Sequence, residues 1–199
     1  MSFYITIGRQ NGCGGRIVGK ELAAKLGVEY YDKDAVIDLI AEDCGLARES
    51  VSEFMEKRTS SLLYEMATFA QPNPLEEQIF ISKTRIVNQL ADKGSCVFVG
   101  ICADYILRER DNVLKVFLYG SAEERLKRVN EVYGQKDITS AKLKTLDKHR
   151  GDYYKFFTSV KWGDRENYDI NINTDLGIDR VVAMIELIAK EKFGGVNIG

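Results

Sequence analysis

Phe3-Tyr4-Ile5-Thr6-Ile7 runs straight into Gly8-Arg9-Gln10-Asn11-Gly12-Cys13-Gly14-Gly15-Arg16, and the reading of this junction decides the fold. The first five residues are short, apolar and rich in β-formers, as a buried strand requires. From Arg16 to Leu26 the apolar residues Ile17, Leu22, Ala23 and Leu26 recur at helical spacing, and Gly27 supplies a stop. The intervening glycines let the backbone wrap closely round an anion, with N–H groups and the helix N-terminus turned inward. Gly12, Gly14 and Gly15 cost backbone entropy on folding, which argues against a bare turn. Set on the phosphate-loop pattern G-x-x-x-x-G-K-S/T, Gly15 stands at the lysine and Arg16 at the hydroxyl residue. Arg9 or Arg16 would then replace the missing cation, since guanidinium recognises phosphate well. A dinucleotide loop, G-x-G-x-x-G, is met by Gly12 and Gly14 but fails at Ile17, although Asp32 lies at the distance of a ribose-binding acid. A tight turn without ligand is the third reading.

Outward from the loop, strands and helices alternate. Val28–Tyr31, Cys96–Gly100, Leu114–Tyr119 and Tyr168–Ile172 read as strands. Residues 34–44, 48–70, 75–92, 103–108, 121–133, 139–158 and 178–192 read as helices, with a break at Pro72-Asn73-Pro74. Such alternation predicts a parallel, doubly wound α/β sheet whose ligands sit at the carboxyl ends of the strands.

Composition sets the outer limits. The chain has 199 residues, enough for one domain with a real core and no staples. Lys plus Arg is 28 against 30 Asp plus Glu, a net charge of −2 that argues against a nucleic-acid partner. No apolar run is long enough to span a bilayer and no signal-peptide layout opens the chain, so the expected location is cytoplasmic, with no membrane partner. Cys13, Cys44, Cys96 and Cys102 form no C-x-x-C pair, and His149 is the only histidine, so no metal site is expected. Oligomeric state is not legible in the sequence.

Read with the rest of the chain, the loop resembles that of the cytidylate kinase-like family, a P-loop branch of the nucleoside monophosphate kinases. The resemblance rests on Ile7-Gly8-Arg9-Gln10, Gly12-Cys13-Gly14-Gly15-Arg16, Tyr31-Asp32-Lys33, Val99-Gly100, Cys102-Ala103-Asp104-Tyr105-Ile106-Leu107, Asp147-Lys148-His149-Arg150, Tyr153-Tyr154, Trp162-Gly163-Asp164, Asn167-Tyr168-Asp169 and Ile172-Asn173-Thr174. It covers nearly the whole chain, and the Gly-Gly-Arg loop is a feature of that branch. It implies a P-loop NTPase fold with a parallel sheet of five strands ordered 2-3-1-4-5. It further implies one domain over 1–199, with a monophosphate-binding insertion at 45–92 and a helical lid at about 125–165. The implied reaction moves the γ-phosphoryl group of ATP, with Mg2+, to a small phosphate acceptor, CMP or dCMP, as an ATP-dependent nucleoside monophosphate kinase. Gly12, Cys13, Gly14, Gly15, Arg16 and Ile17, with Arg9, would bind the ATP phosphates.

Phosphoryl transfer needs positioning and positive charge on the migrating oxygens. Arg125 and Arg128 share a helix face, as do Asp147 and Arg150. In related kinases similar pairs meet the phosphates and the monophosphate sugar, which makes Arg16, Arg125, Arg128 and Arg150 candidate charge donors and Asp147 a candidate orienting acid. The competing reading of Arg125 and Arg128 is a solvated face paired with Glu123, Glu124 and Glu131. Asp32 either touches the monophosphate or caps the following helix. Asp104 either reads the base or sits as an N-terminal helix charge. His149 reads as a surface residue. Tyr153, Tyr154, Phe156, Phe157 and Trp162 read as packing of the lid on the core more than as a stacking platform. One departure stands out: the family places Gly-Arg-Cys-Ala-Asp-Tyr after the third strand, and this chain has Ile101 where the arginine aims at the monophosphate. An apolar side chain cannot pair with a phosphate.

Overall fold

The first strand, β1 (Tyr4–Arg9), is buried on both faces over Tyr4, Ile5, Thr6 and Ile7, which only a central strand of a covered parallel sheet can be. The computed structural model describes residues 2–56, 74–135 and 138–194. In chain order its main elements are β1, α1 (Gly15–Leu26), β2 (Glu29–Tyr31), α2 (Lys33–Cys44), α3 (Arg48–Glu56), α4 (Pro74–Asp92) and β3 (Cys96–Val99). There follow α5 (Ala103–Ile106), β4 (Val113–Tyr119), α6 (Ala122–Glu131), α7 (Ser140–Thr158), β5 (Ile170–Asn173) and α8 (Ile178–Phe193).

The five strands are parallel and ordered β2-β3-β1-β4-β5, as the resemblance implies. One face packs Ile5, Ile7, Val97 and Val116 on Val18, Leu22, Val182 and Ile185 of α1 and α8. The other packs Tyr4, Phe98 and Cys96 on Ile37, Ile40, Ile79, Val87 and Leu90 of α2 and α4. Register determines what happens at the carboxyl ends. Ile7 pairs with Val99, the last residue of β3, whereas β1 continues for Gly8 and Arg9 beside Phe117 and Leu118 of β4. Arg9 therefore leaves the sheet above the end of β3, with the loop starting one residue later.

Local chemistry explains the element ends. Gly27 stops α1 in the left-handed region at φ 64° and returns its N–H toward Ala23 and Ala24. Asp32, Ser121 and Thr139 cap α2, α6 and α7 with side-chain oxygens. Two expected elements shift. β5 begins at Ile170, later than Tyr168, because a 3-10 turn at Arg165–Asn167 leads into it and the Asp169 carboxylate is tied to the Lys115 N–H at 2.8 Å. The helix expected over 48–70 is seen as α3 to Glu56, and its remainder lies outside the described residues, as do Pro72 and Asn73. Among the described residues no helix is long and apolar enough to cross a membrane, and all four cysteines are free thiols.

Gly19 shows how tightly α1 sits on the sheet. A Cβ there would overlap a Val99 methyl and come within 2.9 Å of the Tyr30 ring. Alanine gains about 1 kcal/mol of helix propensity over glycine, against an overpacking cost of about 1–3 kcal/mol in a closed core. Gly19→Ala should lower stability by about 1 kcal/mol net in urea unfolding; an equal or higher midpoint would show that the helix–sheet gap is open.

Candidate functional site

Gly12 and Gly14 adopt φ 81° and 75°, a conformation that side-chain-bearing residues rarely take. Their absent side chains also matter, since a Cβ at Gly12 would strike the Arg125 carbonyl and one at Gly14 the Ile178 methyl. Helix α1 thus starts with no side-chain cap and no acid in its first turn, leaving its free N–H groups without a side-chain acceptor. These N–H groups border a cleft of about 680 Å3 lined by Arg9 to Arg16, Tyr133, Lys142, Leu146 and Arg150, a size that suits a nucleotide. The cradle fits a chain of phosphates.

Three of the four charged candidates on α6 and α7 reach the loop itself. Asp147 accepts from the Asn11 N–H at 2.7 Å and from Asn11 Nδ2 at 2.8 Å through one oxygen. Its other oxygen pairs with Arg125 at 2.5 Å, a pair whose side chains are only 5% and 14% exposed. Arg128 donates to the Gly12 carbonyl at 2.8 Å. Arg150 donates to the Arg9 carbonyl and to Asn11 Oδ1, both at 2.8 Å. Burial first, then the neighbouring charge of Arg9, holds the Arg150 guanidinium below its ordinary value, so the positive charge here is under strain that an anion would relieve.

A second cavity, of about 100 Å3, opens at the end of β3 and is lined by Arg9, Lys33, Lys83, Ile101, Asp104, Arg150, Tyr153 and Trp162 among others. Gly100, Ile101 and Cys102 stand in succession at φ 72°, 53° and 60°. A left-handed β-branched residue is unusual and costs on the order of 1–3 kcal/mol, a strain that clusters at ligand sites. The Arg9 side chain passes across Gly15, where a Cβ would approach it to 2.8 Å, and ends against Gly100, where a Cβ would collide with its guanidinium. Gly15, where the general phosphate-loop pattern has its lysine, and Ile101, where the resemblance implies an arginine, therefore border one arginine. Asp104 is buried and accepts from the Tyr154 hydroxyl at 2.8 Å. Burial raises its carboxyl above the ordinary range, against the opposing effect of that hydrogen bond.

The other candidates are engaged differently. Arg16 is half-exposed and turns to Asp32 at 3.3 Å and Asp34 at 3.0 Å, away from the loop carbonyls that Arg128 and Arg150 hold. Asp32 is saturated: it caps α2 through the Asp34 and Ala35 N–H groups and accepts from Tyr30 as well. Cys13 buries its thiol in the core, where burial pushes it up to about 11. Ile17 is not among the residues lining the cleft. His149 is half-buried on α7. The aromatic residues pack across elements, with Phe157 stacked on Phe80 at 4.4 Å and Trp162 edge-on to Phe117 at 5.3 Å.

Asn11, Lys33 and Lys83 also belong to this region and were not singled out by sequence. For Lys83 a signal existed: it interrupts the apolar stripe Ile79, Ile86, Val87, Leu90 on the buried face of α4.

A five-stranded parallel sheet in this order, with a glycine loop leaving the central strand, is the P-loop kinase fold. The sequence profile of the cytidylate kinase-like family matches residues 4–176, and the chain belongs to that family. Among solved structures it is similar to an uncharacterised protein from Eubacterium ventriosum, at 27% identity over 94% of this chain and 98% of that one, with a TM-score of 0.70. It shares its fold with a gluconokinase from Sinorhizobium meliloti (14% identity, 98% of each chain, TM-score 0.57). It does so too with a shikimate kinase from Acinetobacter baumannii in complex with shikimate (20% identity, 97% and 96%, TM-score 0.54). No curated protein matches the chain.

Two predictions follow from the geometry. Removing the Asp147 carboxylate strands a buried guanidinium, which costs about 3–5 kcal/mol. Asp147→Ala should therefore lose that much in urea unfolding, and a loss under about 1 kcal/mol would show that Arg125 simply turns to solvent. For Asp104 the folded chain holds its proton more tightly than the unfolded one, so ionisation costs stability as pH rises from about 4 through the raised folded value. Asp104→Asn should gain on the parent chain as pH rises above about 4 and through the raised folded value; a difference that stays constant with pH would contradict the buried-acid reading.

Proposed function

We propose that the chain is an ATP-dependent phosphotransferase that moves the γ-phosphoryl group of ATP to a nucleoside monophosphate, CMP or dCMP, giving ADP and the diphosphate. The observation that carries this reading is the convergence of Asp147, Arg128 and Arg150 on a glycine loop that opens a helix, with Arg125 held by Asp147. In the reaction an acceptor phosphate oxygen bonds to the γ-phosphorus as its bond to the β–γ bridging oxygen breaks, and the bridging oxygen leaves with ADP. The α1 N–H groups hold the donor phosphates. Arg128 and Arg150 exchange the loop carbonyls for phosphate oxygens, and charge-assisted bonds to phosphate outweigh neutral ones. Asp147 keeps Arg125 and Asn11 in place while they do so. Residues at about 125–165 act as the lid that brings these arginines in, and 45–92 contribute the acceptor side.

Magnesium supplies charge neutralisation on the transferring phosphates. Among the described residues no three His, Cys, Asp or Glu side chains converge, and Asp32 is saturated by its cap and ion pair. The donor set therefore fits an ion that arrives on the nucleotide and not one caged by protein. An ATP-dependent reaction of this kind suits the cytoplasm.

A kinase for a different, smaller acceptor is the second reading, favoured by Ile101 and by the 100 Å3 cavity beside it. A nucleotide-binding module without turnover is favoured by the absence of a loop lysine. One assay separates the three. With ATP and magnesium, ADP release should depend on CMP or dCMP, and Arg150→Met should lower kcat at least about 100-fold with ATP binding retained. Release that requires another phosphorylated or hydroxyl-bearing acceptor would select the second reading, and ATP binding with no release for any acceptor would overturn the kinase.

A further inference from the structure

Lys83 sits on the buried face of α4 with 1% of its surface exposed, yet no carboxylate pairs with it among the described residues. Its ammonium donates to Tyr153 Oη at 2.7 Å and lies 3.9 Å from the Cys102 sulfur. The Phe80 and Tyr153 rings stand 4.5 Å from it, with Phe157 at 6.0 Å. Cation–π contacts of this kind return part of the desolvation cost, but a buried charge without a counter-ion remains expensive. The charge also faces space: Lys83 lines the cavity at the end of β3 with Arg9, Lys33 and Arg150, and Asp104 is the one carboxylate among the residues lining it. That carboxylate is itself pushed toward its neutral form by burial. Four cations thus surround a volume of about 100 Å3, enough for several waters or one small oxyanion.

We infer that Lys83 and Tyr153 form the anion receptor of the acceptor site, holding a phosphate monoester group in the cavity at the end of β3. The ammonium donates to the anion directly. Tyr153 accepts from Lys83 and so keeps its own O–H to donate beside it. This pair, with Arg9 against Gly100, supplies the positive charge that Ile101 lacks. The inference rests on the kinase reading for the word acceptor, while the anion site stands on its own geometry. Its ligand is either the phosphate of a nucleoside monophosphate or that of a smaller phosphate compound.

The test uses the full chain without ATP and reads binding, not turnover. Grown with lysine labelled at Cε, the protein should show one Lys resonance displaced by the ring currents of the aromatic cage, and titration with CMP or inorganic phosphate should move it. Lys83→Met should weaken binding of that probe on the order of 10- to 100-fold, with Lys83→Arg retaining most of the affinity. Thermal stability should stay level or rise in Lys83→Met, because a buried unpaired charge has been removed. CMP binding far tighter than inorganic phosphate assigns a nucleoside source, and equal binding assigns a small phosphate. A cage resonance that ignores both probes at saturation overturns the proposal, even where no variant folds. So does Lys83→Met that loses stability and keeps its affinity, since Lys83 would then be a core residue. Loss of ADP release with the anion titration intact would instead count against the kinase reading alone.

Discussion

The Asp147 carboxylate holds together three parts of the chain that are far apart in sequence. One oxygen takes both the N–H and the side-chain amide of Asn11 in the loop, and the other takes Arg125 of α6. Because the pair with Arg125 is buried, neither member can be lost cheaply. The loop conformation, the seat of α7 and the direction of α6 are therefore one arrangement, and Arg128 and Arg150 reach loop carbonyls only while it holds.

Arg9 organises the other end of the site. β1 outruns β3 by two residues, so the Arg9 side chain crosses the first turn of α1 and stops over Gly100. A lysine at position 15 would compete for the path that Gly15 leaves open. The guanidinium then lies beside the strained Gly100-Ile101-Cys102 segment, where the resemblance implies an arginine. Gly15 in place of the general loop lysine and Ile101 in place of the implied arginine, weighed separately, look like missing charge; in space they border a charge that comes from another strand.

Overall charge conceals this arrangement. The chain is slightly acidic, yet the cavity at the end of β3 gathers Arg9, Lys33, Lys83 and Arg150 around a single acid. Asp32, Asp34, Asp38 and Asp43 are engaged outside that cavity, by Arg16, Arg48, Arg85 and helix N–H groups. Local field, and not net charge, sets what binds.

The order of strands and helices, the glycine loop and the helix stops are written in short-range patterns: apolar periodicity, capping residues, and glycine where φ must be positive. These depend on a few neighbouring residues, which is why the stop at Gly27 could be read directly. The destinations of long side chains could not. Arg16 stands in the loop motif and lines the cleft, but its guanidinium is taken by Asp32 and Asp34. Asp32 resembles a ligand-binding acid and is consumed by its helix cap. Lys83 passes for a blemish in an apolar stripe until α7 brings Tyr153 and Phe157 over it from some seventy residues away. Local sequence determined the elements and the loop; the tertiary structure decided which charges meet, because a flexible charged side chain goes to whatever partner the packed elements set within its reach.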